Sequence, residues 1–317
     1  MTKADLITGF LGAGKTSFLL RYARYMLEHG EKIAILVFDR GAVNVDMPLL
    51  GELRGENCEI EMLAGACDPD CHRRRFRTKL ISLGLQGFDR VLIEPSGVFD
   101  MDEYFDVLQE SPLDRWFEPG SVIAIVDALL EEDSTPEEDY YLASQAASAG
   151  CVVLSRTQLA DETRIQSTLR HLDRACDSIR ARRVTGRVIA KNWESLSDAD
   201  YQRLENCGWY AADYSKTIAG QRSTFQSLSF LNLGLNRAEL EQRAARLFSD
   251  DGFGKILRVK GFFEEEGRWY QFNATKTGLC IEPVPENRGA IIVIGSGLNE
   301  DAVSLLMTGR LPELHIL

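Results

Sequence analysis

The sequence predicts an α/β fold with a mostly parallel sheet flanked by helices, followed by a smaller α+β C-terminal domain. Short apolar runs of the kind found in strands buried on both faces alternate with helical patterns. This alternation predicts βαβ units and a sheet that helices cover on both sides. The predicted strands are residues 4–8, 32–38, 90–94, 121–127, 151–155 and, more weakly, 187–190, and the main predicted helices are residues 17–28, 140–149 and 161–179.

The pattern changes after residue 206, where a polar and irregular stretch is typical of a linker. From residue 224 onward, strand patterns surround two helical ones, at residues 237–248 and 300–307, which predicts an α+β unit with a mostly antiparallel sheet. We therefore predict an α/β domain at 1–207, a linker at 208–223 and the second domain at 224–317. The acidic, proline-containing segment 131–139 is predicted to be a mobile loop.

Eight residues near the N-terminus, Gly9-Phe10-Leu11-Gly12-Ala13-Gly14-Lys15-Thr16, fit the phosphate-loop pattern G-x-x-x-x-G-K-[ST]. Glycines let backbone N–H groups and the start of the next helix point at an anion. An ordinary glycine-rich turn is the alternative, but the predicted strand before the segment and helix after it favour triphosphate binding. The motif thus predicts that the α/β domain at 1–207 is a P-loop NTPase, GTPase-like domain. The residues predicted to hold the nucleotide here are Gly9, Gly12, Ala13, Gly14, Lys15, Thr16 and Ser17.

Two further strand ends are predicted to complete this site. The run that ends in Glu94-Pro95-Ser96-Gly97 places a carboxylate where an NTPase holds Mg²⁺ or water, and Gly97 would let the backbone approach the γ-phosphate. Asp39 and Asp46 follow the second strand, and the candidate Mg²⁺ ligands are Thr16, Asp39, Asp46 and Glu94. The alternatives are a strand-ending turn and solvated loop carboxylates. Asp127, after a later strand, either contacts this site or caps the segment that follows it.

Net charge, the lengths of apolar runs and the cysteine pattern disfavour several classes of partner and location. The net charge of −12 disfavours nucleic acid and anionic membranes, since phosphate contacts need clustered Lys and Arg. No apolar run has the length of a membrane span, and the chain enters a strand at once, which predicts no signal peptide. Seven scattered cysteines show no disulfide pattern, so a reducing cytoplasmic location is expected.

Four segments extend together over nearly the whole chain: TGFLGAGKTSFLL, the strand ending in E-x-S-G, SVIAIVDA, and FGKILRVKGFF at residues 253–263. They resemble the CobW-type metallochaperone GTPases, relatives of UreG and HypB in the SIMIBI class. The resemblance implies a GTP-hydrolysing switch that binds a transition metal. It also implies delivery of the metal to a recipient protein or cofactor pathway.

One departure from the family pattern concerns the metal. Family members usually carry C-x-C-C before the E-x-S-G strand, whereas this chain has Cys67, Cys71 and His72 there. Two thiolates and an imidazole suit Zn²⁺, Co²⁺ or Ni²⁺, and Asp68 or Asp70 is a further candidate ligand. The alternative is a loop that leads into a helix, with the cysteines as small buried apolar residues.

A second departure concerns the base. Such GTPases usually carry N-K-x-D, whose carboxylate accepts two hydrogen bonds from guanine, but this chain has Ser155-Arg156-Thr157-Gln158. The candidate base-contacting residues are therefore Ser155, Arg156 and Gln158, with Arg156 able to stack on a purine. Replacing a charged acceptor by a neutral amide lowers guanine preference by about 1.5–3 kcal/mol. The resemblance favours GTP, and ATP or loose purine specificity remains open.

The predicted chemistry is slow hydrolysis of the γ-phosphate, with Lys15 and Glu94 as the catalytic residues. Lys15 and the loop amides would neutralise the transferred phosphoryl group, and Glu94 would orient water. Because no arginine in the sequence stands out as a finger, dimerisation or a partner is expected to raise turnover, and a nucleotide-dependent homodimer is one arrangement. An ATP-dependent small-molecule kinase and a non-catalytic nucleotide-dependent regulator are the alternatives.

Overall fold

A computed structural model describes residues 1–39, 50–64, 69–130, 134–212, 225–284 and 289–309. The chain forms two compact units, the first holding the described residues up to 212 except Ala64 and the second those from 225. Residues 208–210 hydrogen-bond to the first unit through Gly208 and Tyr210. The predicted domain boundaries stay a prediction, since 213–224 lie outside the described residues.

The first unit is a seven-stranded sheet flanked by helices. Its strands are β1 Thr2–Gly9, β2 Ile33–Asp39, β3 Cys58–Ala64, β4 Arg90–Glu94, β5 Phe117–Asp127, β6 Cys151–Ser155 and β7 Val188–Ile189, in the spatial order β3-β2-β4-β1-β5-β6-β7. The pairs from β2 across to β7 are parallel, which confirms the predicted fold class. Because parallel strands end at one edge, the residues after β1, β4, β5 and β6 lie close together.

Four of the helices described in this unit begin at a side chain that caps the first turn. The helices of the unit are α1 Lys15–Glu28, α2 Pro69–Gly84, α3 Met101–Leu108, α4 Leu113–Trp116, α5 Pro136–Ser148, α6 Glu162–Ser178 and α7 Asp198–Glu205. Thr135 and Glu138 form a capping box at the start of α5. The predicted mobile loop at 131–139 is therefore wrong from Thr135 onward, because this box and Pro136 at the first turn favour helix.

A buried ion pair joins the two central strands. Arg90 donates two hydrogen bonds to the Asp5 carboxylate, at 2.9 and 2.8 Å, and neither side chain is more than 2% exposed. Asp5 also accepts from the Ser121 amide at 2.7 Å and from the Tyr22 hydroxyl at 3.0 Å. Burial raises the pKa of the Asp5 carboxyl, and the Arg90 guanidinium opposes that rise. The network fixes β1, β4, β5 and α1 to one another, so it orients the strands whose far ends carry the candidate site.

The second unit is an antiparallel sheet with two helices. Its strands are β8 Phe225–Leu231, β9 Lys255–Glu265, β10 Arg268–Thr275, β11 Gly278–Val284 and β12 Ala290–Ser296, in the order β11-β10-β9-β12-β8, and its helices are α8 Arg237–Ser249 and α9 Glu300–Thr308. All four strand pairs are antiparallel, as predicted. Val259 and Val293 of the sheet share a core with Leu240 of α8 and Val303 of α9.

No helix in the described part of the chain combines the length and apolar character needed to cross a membrane.

Candidate nucleotide and metal site

The glycine-rich segment forms a loop between β1 and α1 with left-handed backbone at two of its glycines. Gly12 has φ +79°, and Gly14, the N-cap of α1, has φ +96°. L side chains rarely adopt these angles, so the spacing of glycines in the motif follows from the shape of the loop. The loop places Ala13 and Gly14 directly before the first turn of α1, where backbone N–H groups lack helical partners. This is the geometry of an anion-binding helix N-terminus.

Lys15 and Thr16 begin α1, followed by Ser17 on the same turn. The Lys15 ammonium group is buried and donates to the Gly9 carbonyl oxygen at 3.0 Å, across the mouth of the loop. Its ammonium group therefore lies at the phosphate loop, where the motif predicts contacts with the β- and γ-phosphates. Gly9 itself has no room for a side chain, because an added Cβ would lie 2.4 Å from the Ile125 carbonyl oxygen of β5.

The Thr16 hydroxyl donates to the Glu94 carboxylate at 2.8 Å. Glu94 is the last residue of β4 and is only 5% exposed. The structure thus brings together two of the four predicted Mg²⁺ ligands, and their oxygens are the hard donors that Mg²⁺ prefers. Asp39 is described only as the last residue of β2, and Asp46 lies outside the described residues.

Gly97 lies against the phosphate loop. A Cβ on Gly97 would come within 2.6 Å of the Leu11 backbone nitrogen, so only glycine allows this approach. The Gly97 carbonyl oxygen accepts a hydrogen bond from Gln145 of α5 at 3.0 Å. Sequence reasoning missed Gln145, because a single buried glutamine within a helix carries no pattern.

Arg156 links the loop after β6 to the phosphate loop. Its backbone is left-handed, with φ +54°, and its guanidinium donates to the Gly12 carbonyl oxygen at 3.2 Å. The same guanidinium pairs with Asp127, whose other oxygen accepts from the Leu129 amide at 2.9 Å. Asp127 therefore caps the segment that follows β5 and also pairs with Arg156, one of the residues predicted to contact the base.

The other side chains at the end of β6 and directly after it, those of Ser155, Thr157 and Gln158, carry no charge. Ser155 is buried, and Gln158 is exposed. The Ser155 and Thr157 hydroxyl groups have no hydrogen-bond partner within the part of the chain that the structure describes. Trp193, which sequence reasoning also missed, donates its indole N–H to the Leu154 carbonyl oxygen at 2.9 Å, and its ring would lie 3.3 Å from a Cβ on Gly14. The sequence offered one signal for Trp193, which is that a large aromatic residue follows the weak strand β7.

The predicted transition-metal residues are only partly described. Cys67 lies outside the described residues, while Cys71 and His72 occupy the first turn of α2. His72 Nδ1 lies 2.9 Å from a Glu103 carboxylate oxygen of α3. Within the described ranges, no group of three or more His, Cys, Asp and Glu side chains is arranged to hold a metal ion.

Other cysteines are poor candidates for metal binding. Burial raises the pKa of the Cys58 and Cys151 thiols to about 11 and that of the Cys176 and Cys207 thiols to about 12. A thiol with such a pKa stays protonated near neutral pH, whereas a metal binds the thiolate. Cys71 is half-buried and is not among these four.

Family comparisons agree with this geometry. Residues 3–183 match the family model for the CobW/HypB/UreG nucleotide-binding domain, and residues 226–309 match that for the cobalamin synthesis protein CobW C-terminal domain. The chain belongs to the CobW/HypB/UreG family. As a CobW-type protein with both domains, it is a P-loop NTPase by family, and the resemblance noted from the sequence is confirmed.

Two curated relatives from Escherichia coli strain K12 are similar to the first part of this CobW-type chain. The zinc chaperone YeiR is 32% identical over 163 residues, which cover 50% of this chain and 47% of YeiR. The zinc chaperone YjiA is 32% identical over 167 residues, covering 50% of each chain. This chain thus matches about half the length of these relatives.

Among solved structures, Zn(II)-bound YjiA GTPase from Escherichia coli is 19% identical, with a TM-score of 0.38 and coverage of 97% of this chain and 98% of that one. The hydrogenase maturation factor HypB from Archaeoglobus fulgidus is 15% identical, with a TM-score of 0.40 and coverage of 64% and 86%.

Proposed function

We propose that the chain is a GTP-hydrolysing switch that binds a transition metal and passes it to a recipient protein or cofactor pathway. The observation that carries the proposal is the contact between Thr16 and Glu94 beside a phosphate loop, in a chain of the CobW/HypB/UreG family. The names of the relatives YeiR and YjiA, both zinc chaperones, support Zn²⁺ as the cargo, with Co²⁺ and Ni²⁺ as the other candidates.

The residues of the site support a hydrolytic mechanism. Lys15 and the amides of Ala13 and Gly14 would hold the β- and γ-phosphates and neutralise charge on the transferred phosphoryl group. Thr16 and Glu94 would hold Mg²⁺, which supplies further positive charge at these phosphates when bound. Glu94 would also orient the attacking water, because its carboxylate is fixed by the Thr16 hydroxyl at the end of β4.

The switch would act through Gly97. Because Gly97 packs on the backbone of Leu11, a γ-phosphate in the loop would change the position of the segment that runs into α3. Glu103 of α3 pairs with His72 of α2, so this segment is joined to the candidate metal residues. Nucleotide state and metal affinity would then influence each other.

Location and partners follow from the same proposal. The cysteines that the structure describes are free thiols, which supports action in the reducing cytoplasm. The charge of −12 supports a protein recipient and disfavours nucleic acid or a membrane.

A homodimer that forms with triphosphate and separates with diphosphate would supply the groups that raise turnover. Light scattering with each nucleotide tests this arrangement.

The test is turnover by the purified full-length chain with GTP and ATP, with and without Zn²⁺, Co²⁺ and Ni²⁺. Release of inorganic phosphate that changes with one of these metals supports the proposal. Binding of both nucleotides without hydrolysis under any condition overturns it in favour of a non-catalytic regulator. Phosphate transfer to a metabolite without free phosphate overturns it in favour of a kinase.

A further inference from the structure

We propose that the base site of this chain recognises purines through the neutral side chains of Ser155, Thr157 and Gln158 and accepts adenine and guanine nucleotides with similar affinity. This inference rests on the proposed nucleotide site and identifies its substrate class as purine nucleoside triphosphates in general.

The first observation is a pair of unpartnered hydroxyl groups. Ser155 and Thr157 flank Arg156 and are 3% and 9% exposed, yet neither hydroxyl has a hydrogen-bond partner among the residues that the structure describes. Buried polar groups without partners are rare in folded proteins and need an explanation such as a ligand. The Ser155 Cβ would lie 3.7 Å from a Cβ on Gly14, so this side chain stands beside the N-cap of α1.

The second observation is that nearby carboxylates are already engaged. Asp127 uses one oxygen for the Leu129 amide and the other for Arg156. Asp161 accepts from the Arg164 amide as the N-cap of α6, and Glu194 pairs with Arg21 of α1. Each of these three carboxylates thus has at least one oxygen engaged, and Asp127 has both, while Gln158 stands where the family pattern has its carboxylate.

Neutral groups of this kind fit either base. A hydroxyl rotates to donate or accept, and an amide offers both a carbonyl oxygen and an NH₂ group. They can therefore match guanine, which presents a carbonyl at position 6, and adenine, which presents an amino group there. A carboxylate only accepts, so it would favour guanine strongly.

Arg156 supplies affinity that does not depend on the base. Its guanidinium is fixed between Asp127 and the Gly12 carbonyl oxygen, so it holds the base loop against the phosphate loop whichever purine is bound. Triphosphate contacts and this link would provide most of the binding, and the three neutral residues would add the contacts to the base.

The experiment measures dissociation constants of GTP, ATP and inorganic tripolyphosphate with Mg²⁺ for the full-length chain by titration calorimetry. The expected GTP and ATP constants differ by less than about tenfold. Gln158→Asp, an exposed change, is expected to shift the ratio toward GTP by about tenfold or more, because a charged acceptor bonds about twice as strongly. The matched control Gln158→Asn keeps a neutral amide and should leave the ratio unchanged.

Ser155→Ala separates base recognition from folding. It is expected to weaken GTP and ATP alike and to leave tripolyphosphate binding unchanged, whereas a purely structural role would weaken all three. A wild-type preference for either nucleotide above about tenfold overturns the inference, and when the preferred nucleotide is GTP it leaves the proposed function intact. Failure of both nucleotides and tripolyphosphate to bind overturns the proposed function as well.

Discussion

The Thr16 hydroxyl donates to the Glu94 carboxylate across 2.8 Å, which joins the first turn of α1 to the end of β4. The contact exists because β4 pairs with β1 in parallel, with Leu6 opposite Ile93, so Glu94 ends beside the loop that β1 feeds. This hydrogen bond holds the Glu94 carboxylate beside the first turn of α1, next to the phosphate loop.

Replacing Glu94 by Gln should separate hydrolysis from binding. The amide keeps an oxygen for the Thr16 hydroxyl but loses the charge that orients water and metal. We expect nucleotide hydrolysis to fall about a hundredfold, while the dissociation constant changes far less. Single-turnover phosphate release and calorimetry measure the two quantities. The control is Glu61→Gln, which removes a carboxylate that pairs with Lys79 away from the loop. Unchanged turnover in Glu94→Gln would show that Glu94 has no catalytic role.

Gly97→Ala tests the approach of the E-x-S-G segment to the phosphate loop. The added methyl group would lie 2.6 Å from the Leu11 nitrogen, so backbone must move. A displacement of about 1 Å in a catalytic loop lowers turnover by about a hundredfold, and overpacking costs about 1–3 kcal/mol of unfolding free energy. Hydrolysis assays and urea unfolding check both effects. Gly55→Ala is the matched control, because a Cβ there meets nothing within 4 Å; equal effects in both variants would refute the packing argument.

The sequence predicted what depends on local pattern and missed what depends on the assembled fold. The buried strands were predicted because short apolar runs such as Cys151–Ser155 are typical of strands buried on both faces. The phosphate loop was predicted because its glycines occupy positions where the backbone has a positive φ angle. Strand β3 was missed, because alternating Glu59 and Glu61 make its pattern look polar. The contacts of Arg156 with Asp127 and Gly12 join segments distant in sequence, and no spacing rule connects them.

Asp127→Asn tests whether the ion pair with Arg156 positions the base loop. Without a charged partner the guanidinium loses its fixed position over the Gly12 carbonyl oxygen, and we expect GTP and ATP to bind about fivefold to tenfold more weakly, by equal factors. Calorimetry with each nucleotide measures this. Asp177→Asn makes the same change in a surface pair with Arg183 and should alter neither constant. Loss of affinity for only one purine would contradict a positioning role.

The candidate metal residues are tested by removing both thiols. The variant with Cys67→Ala and Cys71→Ala is expected to lose about one Zn²⁺ per chain, since a site left with one imidazole has too few ligands to hold the ion. Equilibrium dialysis followed by elemental analysis gives the stoichiometry. Cys280→Ala, which removes an exposed thiol of the second unit, serves as the control. A stoichiometry that is the same in the double variant and the wild type would rule out these cysteines.

Stability at low pH should depend on Asp200. Hydrogen bonds from Lys191, and next from Ser197, lower the pKa of this carboxyl to about 2, and its side chain closes the capping box that begins α7. Because the folded pKa lies below the unfolded one, the stabilisation is present above about pH 4 and is lost as the pH falls toward 2. We expect the free energy of unfolding of Asp200→Asn to be about 1 kcal/mol lower than that of wild type at pH 6, and this difference to shrink at pH 4 and again at pH 3.

Urea unfolding at the three pH values measures this difference in free energy. Asp198→Asn is the control, because it removes one charge from the same helical turn. A difference that grows as the pH falls would contradict the assignment, because it would mean that the carboxylate destabilises the folded chain.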